Sequence, residues 1–179
     1  NCQWYQDTPH LSLSLEEKLE PLIAEYTSVL FLGVSMGGFA ALSIAHLADT
    51  VAIFGPQTDL SLSHLRPGWS EEELAAANER MRRNVTRALQ MGTKIQYHVD
   101  LGDHLLLARR LPLPRGALVI HPLCGRIARV LERAGLLAPL LVGLVAERQR
   151  EGPCRRRRLG DGEAAPGARP TAAAEAAVV

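Results

Sequence analysis

Aromatic side chains make up only 4% of the 179 residues, too few for the stacking platforms that hold single-stranded nucleic acid. An excess of one charge is missing as well. Twenty Lys and Arg against 19 Asp and Glu leave a net charge of +1, so no overall field draws the chain to nucleic acid or to a membrane surface. Cys2, Cys124 and Cys154 are odd in number and show no C-x-x-C spacing, which implies neither a disulfide framework nor a zinc site. No apolar run reaches membrane-spanning length. The nearest, residues 136–146, contains Pro139 and Gly143. The chain starts at Asn1 without a charged-then-apolar leader. The resulting expectation is an intracellular, cytoplasmic protein with no membrane or nucleic-acid partner, and no metal or cofactor.

What remains is the composition of a folded domain, 47% hydrophobic and 22% charged. The length allows one domain, residues 1–150, and a tail, residues 151–179. The tail carries Arg155, Arg156, Arg157 and Arg158 and then a Gly/Ala/Pro stretch that cannot build a core, so it reads as disordered. The four arginines read as a solvated segment in preference to a nuclear address or an anion patch. Asn84-Val85-Thr86 fits a glycosylation acceptor, but it falls inside a helical pattern and is discounted.

Along the domain, strands alternate with helices. Ser14 and Glu17 form a capping box that opens a helix over residues 15–26, with Pro21 expected to kink or split it. Strands are expected at residues 29–33, 50–54, 94–99 and 117–120. The second is a continuous apolar run, as suits a parallel strand covered on both faces. Helices are expected over residues 36–47, 71–91, 104–111 and 126–147, the last divided near Gly135 and Pro139. A loop of residues 56–69 holds Asp59 and His64. The fold class is α/β, a mostly parallel sheet with helices on both faces.

Residues 29–42, VLFLGVSMGGFAAL, carry the chemistry. An apolar strand pattern runs into Gly33-Val34-Ser35-Met36-Gly37-Gly38 and then into an Ala-rich helix. This is G-x-S-x-G in the strand–turn–helix context that a nucleophile elbow requires. A serine on so sharp a turn brings its neighbours close together. Gly33 and Gly37 are expected to remove the collisions, and Gly38 to let the helix approach the sheet. Ser35 would then present its hydroxyl beside a helix N-terminus, where developing negative charge is favoured.

The same stretch resembles the elbow of the α/β-hydrolase superfamily of esterases, lipases, thioesterases and acyltransferases. More loosely, the resemblance extends to about Leu144. It implies Ser35 as nucleophile and the backbone N–H of Met36 as one oxyanion donor. An acid would follow a later strand, and a histidine the last strand. Asp59, Asp100 and Asp103 all lie near strand exits. Asp103 matches the usual acid position, with Asp59 the alternative. His121 ends the fourth strand and completes the order Ser35, Asp103, His121. His104 is its competitor, better placed to pair with Asp59. His10, His46, His64 and His98 have weaker positional cases. The loop beyond the fourth strand, residues 122–126, holds no histidine.

The resemblance also implies strands upstream of Asn1, and with them the loop that supplies a second oxyanion donor. The expected function is an acyl hydrolase, esterase-like or thioesterase-like, acting through an acyl-enzyme on a small-molecule acyl substrate. The alternative is a non-catalytic hydrolase-fold interaction module or an inactive fragment. Nucleotide binding at the Gly-rich turn fits poorly, because the turn lacks both GK[ST] and the G-x-G-x-x-G spacing.

Overall fold

A computed structural model of the protein describes residues 14–63, 68–123, 125–150 and 177–178. The first helix, α1 (Leu15–Ile23), opens on the expected capping box. Ser14 Oγ accepts from the N–H of Glu17 at 3.1 Å, and the Glu17 carboxylate accepts from the N–H of Ser14 at 2.7 Å. Pro21 lies inside the helix, which ends two residues later and three short of the expected end, with the N–H of Ala24 closing it on the Glu20 carbonyl.

Strand β1 (Val29–Val34) leads through Ser35 into α2 (Met36–Ser43), which tightens into a 3₁₀ turn at Ala45–Leu47. Then come β2 (Thr50–Phe54), α3 (Glu71–Gln90) and β3 (Lys94–Val99). A second capping box, Ser70 with Glu73, starts α3, and the left-handed Gly92 (φ 86°) releases the chain from it. Short α4 (Asp103–Ala108) and β4 (Leu118–Ile120) follow. The final expected helix is two, α5 (Ile127–Arg133) and α6 (Leu137–Arg150), broken at the left-handed Gly135. Pro139 lies in the first turn of α6, where its missing N–H has no intrahelical partner to lose.

The four strands pair in parallel in the order β4-β3-β2-β1. A two-residue strand, β5 (Ala177–Val178), lies parallel to Val29 and Leu30 on the other side of β1. They belong to the tail, residues 151–179. The rest of that tail lies outside the described residues.

Strand residues alternate between two cores, as a pleated sheet requires. Val29, Phe31, Val51, Ile53, Ile95, Tyr97 and Val99 pack under α2, α3 and α4. Leu30, Ala52 and Phe54 pack under α5 and α6. Helices therefore cover both faces, and the molecule is an α/β fold. The crossovers bring the ends of all four strands, and the loops that leave them, to one edge.

Candidate functional site

Ser35 lies at that edge, exposed, between β1 and α2. Its backbone has φ 52° and ψ −112°, and it is the only non-glycine with positive φ among the described residues. Such a conformation costs of order 1–3 kcal/mol and persists only where the surroundings impose it. Here they do. The N–H of Ser35 donates to the carbonyl of Phe54 on β2 at 3.2 Å. Its own carbonyl accepts from Gly38 at 3.1 Å and Phe39 at 3.3 Å.

The glycines divide. A Cβ on Gly33 would lie 2.5 Å from the Gly37 carbonyl oxygen and 2.7 Å from the Cα of Gly38, so the turn cannot close over any side chain there. A Cβ on Gly38 would lie 2.6 Å from the Cβ of Pro56, the residue that leads out of β2. Gly37 is different. A Cβ there meets nothing within 4 Å, so the expectation that it relieves a collision is corrected. It is the backbone of Gly37, not its missing side chain, that Gly33 must admit.

The N–H groups of Met36 and Gly37 open α2 and have no hydrogen-bond partner among the described residues, as at any uncapped helix start. They are available to an anionic oxygen near Ser35.

The other expected residues scatter. Asp103 begins α4, exposed, and no hydrogen bond joins it to His121 among the described residues. Asp59 is occupied elsewhere. Its Oδ1 accepts from the N–H of Ser61, from Ser61 Oγ and from Asn78 Nδ2, and Arg110 stands 3.8 Å from its other oxygen. It caps a 3₁₀ turn and ties that turn to α3. Asp100 accepts from the N–H of Gly102 at 3.2 Å and of Gly125 at 3.3 Å, holding the exits of β3 and β4 together. His104, half-buried on α4, has no hydrogen bond to Asp59 among the described residues. His46 is committed to Glu16 at 2.6 Å. His10 and His64 lie outside the described residues.

His121 has a different partner from the one expected. Its Nε2 lies 3.0 Å from Nδ1 of His98, a buried residue of β3. Burial, reinforced by His121 nearby, pushes the His98 pKa down to about 4, and burial also lowers that of half-buried His121. Both rings are poised to be neutral at pH 7. The alternation in Lys94–Val99 already put His98 on the face opposite Tyr97. Its meeting with His121 depends on the β3–β4 register, which local sequence does not encode.

Two further features bear on chemistry. A depression of about 280 Å³ lies along the outer side of α3, lined by Glu79, Arg82, Arg83, Thr86, Arg87 and Gln90. That half of α3 feeds the start of β3, at the opposite end of the sheet from Ser35, so it is no acyl pocket for the elbow. Among the described residues no group of three or more His, Cys, Asp or Glu is arranged to hold a metal, and no helix is long and apolar enough to cross a membrane.

Comparison with known families, with curated proteins and with solved structures finds no match for this chain.

Proposed function

We propose that the chain is an acyl hydrolase of the α/β-hydrolase type, with Ser35 as nucleophile. The observation that carries the reading is the Ser35 backbone, φ 52° in a residue with a side chain, at an exposed strand-to-helix turn. Strain of this kind clusters at functional sites. Strand β1 leads into the elbow and three more parallel strands, β2, β3 and β4, follow it, consistent with the later strands that the resemblance implies.

In this mechanism Ser35 Oγ attacks the carbonyl carbon of an ester or thioester. A histidine accepts the hydroxyl proton, the role that the resemblance gives His121, and the N–H of Met36 stabilises the oxyanion. The histidine then returns the proton to the departing oxygen or sulfur, and water releases the acyl group from Ser35 by the same steps.

The test is covalent labelling by a fluorophosphonate probe, read by intact mass, with Ser35→Ala as control and circular dichroism on both proteins. One phosphonyl adduct that disappears in Ser35→Ala supports the enzyme. A folded protein that takes no adduct refutes it. One observation favours the non-catalytic alternative: among the described residues no carboxylate hydrogen-bonds to His121. An unlabelled, folded chain would make that alternative the better reading.

A further inference from the structure

The four main strands leave two sides of the sheet, β4 and β1, where a row of N–H and C=O groups can be joined by another strand. At the β4 side the strand is short, Leu118–Ile120, with Pro114 before it and Pro122 after it. A short strand beside prolines offers little to pair with. The β1 side has no such protection. Its sequence, VLFLGV, contains neither a charge nor a proline.

Hydrogen bonds at both ends of β1 fix which main-chain groups face outward. Val29 donates its N–H to Asp49 Oδ2 at 2.7 Å and accepts from the N–H of Asp49 at 3.0 Å. At the other end, Ser35 donates to the carbonyl of Phe54 at 3.2 Å. Asp49 precedes β2 and Phe54 ends it, so Val29 and Ser35 both turn toward β2. Main-chain direction alternates along a strand. Phe31 and Gly33 therefore turn toward β2 as well. Leu30, Leu32 and Val34 present their N–H and C=O groups to the other side.

β5 covers only the first of these three. Its register sets Ala177 opposite Val29 and Val178 opposite Leu30. Beyond it, the outward groups of Leu32 and Val34 have no strand partner among the described residues, and Val34 is exposed.

The end of α6 explains how so short a strand is held. Arg148 donates to Ser28 Oγ at 2.7 Å, one residue before Val29. The chain thus leaves α6 and enters β5 at the same corner of the sheet. Two paired residues on a separate peptide would not stay bound. Joined to the same chain, they meet β1 at an effective concentration on the order of millimolar.

We propose that β5 is an edge guard: the chain's own C-terminal segment pairs with Leu30 in cis and stops the β1 edges of two copies from joining. Two such edges related by a two-fold axis would pair antiparallel. A ladder centred on Leu32 would set Leu30 of each copy against Val34 of the other. With β5 on Leu30, both end pairs of that ladder are lost. β5 in turn presents an edge too short to template a partner.

The experiment uses the ¹⁵N-labelled full chain as wild type and as the double variant Ala177→Pro, Val178→Pro, in which β5 has no N–H to donate. Circular dichroism checks that both fold. Amide exchange in dilute solution reads the capping, and sedimentation velocity over rising concentration reads association. In wild type, Leu30 should exchange at least about 10-fold more slowly than Leu32, and the chain should stay monomeric. In the variant, Leu30 should exchange as fast as Leu32 while Phe31, which faces β2, keeps its protection. A dimer should then appear as concentration rises.

A wild type whose Leu30 and Leu32 amides exchange alike overturns the proposal, whatever the variant does. A wild-type dimer overturns it too, because the edge is then unguarded or the capping strand comes from the second copy. So does Leu30 protection that persists in the dilute variant. A variant that frees Leu30 yet stays monomeric at every concentration shows pairing without guarding, and overturns the role.

Discussion

Alanine at Gly33 would put a methyl group into the closest backbone approach at the elbow. The new Cβ would lie 2.5 Å from the Gly37 oxygen, 2.7 Å from its carbonyl carbon and 2.7 Å from the Cα of Gly38. All three are main-chain atoms, so no rotamer change relieves the contact. Helix α2 would have to move off β1. It is anchored against that movement, because Phe39, Ala41 and Leu42 are in the core and Gly38 rests on Pro56. Gly33 is not among the glycines with left-handed φ, so the penalty is steric alone. Overpacking costs about 1–3 kcal/mol, and a rigid main-chain obstacle places Gly33→Ala near the upper end. Gly37→Ala is the matched control. Its methyl group meets nothing, and alanine is the better residue early in a helix, so stability should hold or rise by up to about 1 kcal/mol. The two variants should differ by about 3–4 kcal/mol, read from urea unfolding midpoints at equal slope. A Gly33→Ala protein within about 0.5 kcal/mol of wild type would refute the steric account. So would a Gly37→Ala protein as weak as Gly33→Ala.

Ser35→Gly should relieve the positive-φ strain and raise stability by about 1 kcal/mol while abolishing probe labelling; a loss of stability would mean that the serine conformation is not strained. Arg148 of α6 is buried, donating to Ser28 Oγ at 2.7 Å and standing 3.7 Å from Asp49, whose carboxylate also accepts from the N–H of Val29 at 2.7 Å. Arg148→Ala should lower stability by about 3–5 kcal/mol in the same unfolding assay, because it takes the cation from a buried carboxylate. His98 titrates near 4 in the folded protein against an ordinary 6.5, so between those values the unfolded chain binds the extra proton. Its contribution is whole above pH 6.5 and is lost as pH falls toward 4, on the order of 3 kcal/mol at about 1.4 kcal/mol per unit of pH. From pH 7 to pH 4 wild type should therefore lose on the order of 3 kcal/mol relative to His98→Phe, whichever is the more stable at pH 7, and parallel pH profiles would contradict the buried-neutral assignment.

Much of the fold was legible from residue pattern because it is locally encoded. Ser14 with Glu17 and Ser70 with Glu73 mark helix starts by satisfying free N–H groups, and both capping boxes are present. The run Thr50–Phe54 is buried along its whole length, as an interior parallel strand should be. The strand–turn–helix around Ser35 could be read because Gly33 and Gly38 mark where the chain must pass close to itself, although the hydrogen bond to Phe54 that helps hold the turn comes from the next strand. Where the reading slipped, the determinant was a particular contact. Gly37 was assigned a steric role that belongs to Gly33. Asp103 was chosen for its position after a strand, yet α4 begins at that residue and leaves its carboxylate exposed. Strand-exit position places a residue at the right edge of the sheet. It does not place a side chain against a partner on another strand.

Phe54 shows why the site cannot be read from one segment. Its carbonyl oxygen takes the Ser35 N–H, and its ring stacks on His98. The next residue, Gly55, donates its N–H to the His98 carbonyl at 2.8 Å, and His121 donates to the Val99 carbonyl at 2.8 Å. The strained serine and the paired imidazoles are thus linked strand by strand across β2 and β3. A one-residue slip between β2 and β3 would turn His98 to the opposite face and leave Phe54 without its ring partner. The Ser35 conformation is held by hydrogen bonds to Phe54 and within the start of α2, none of which crosses from β2 to β3, and would survive such a slip. The histidine pair would not. The His98–His121 pair is therefore the feature of this edge most dependent on the whole sheet, because the Phe54 stacking needs the β2–β3 register and the contact with His121 the β3–β4 register.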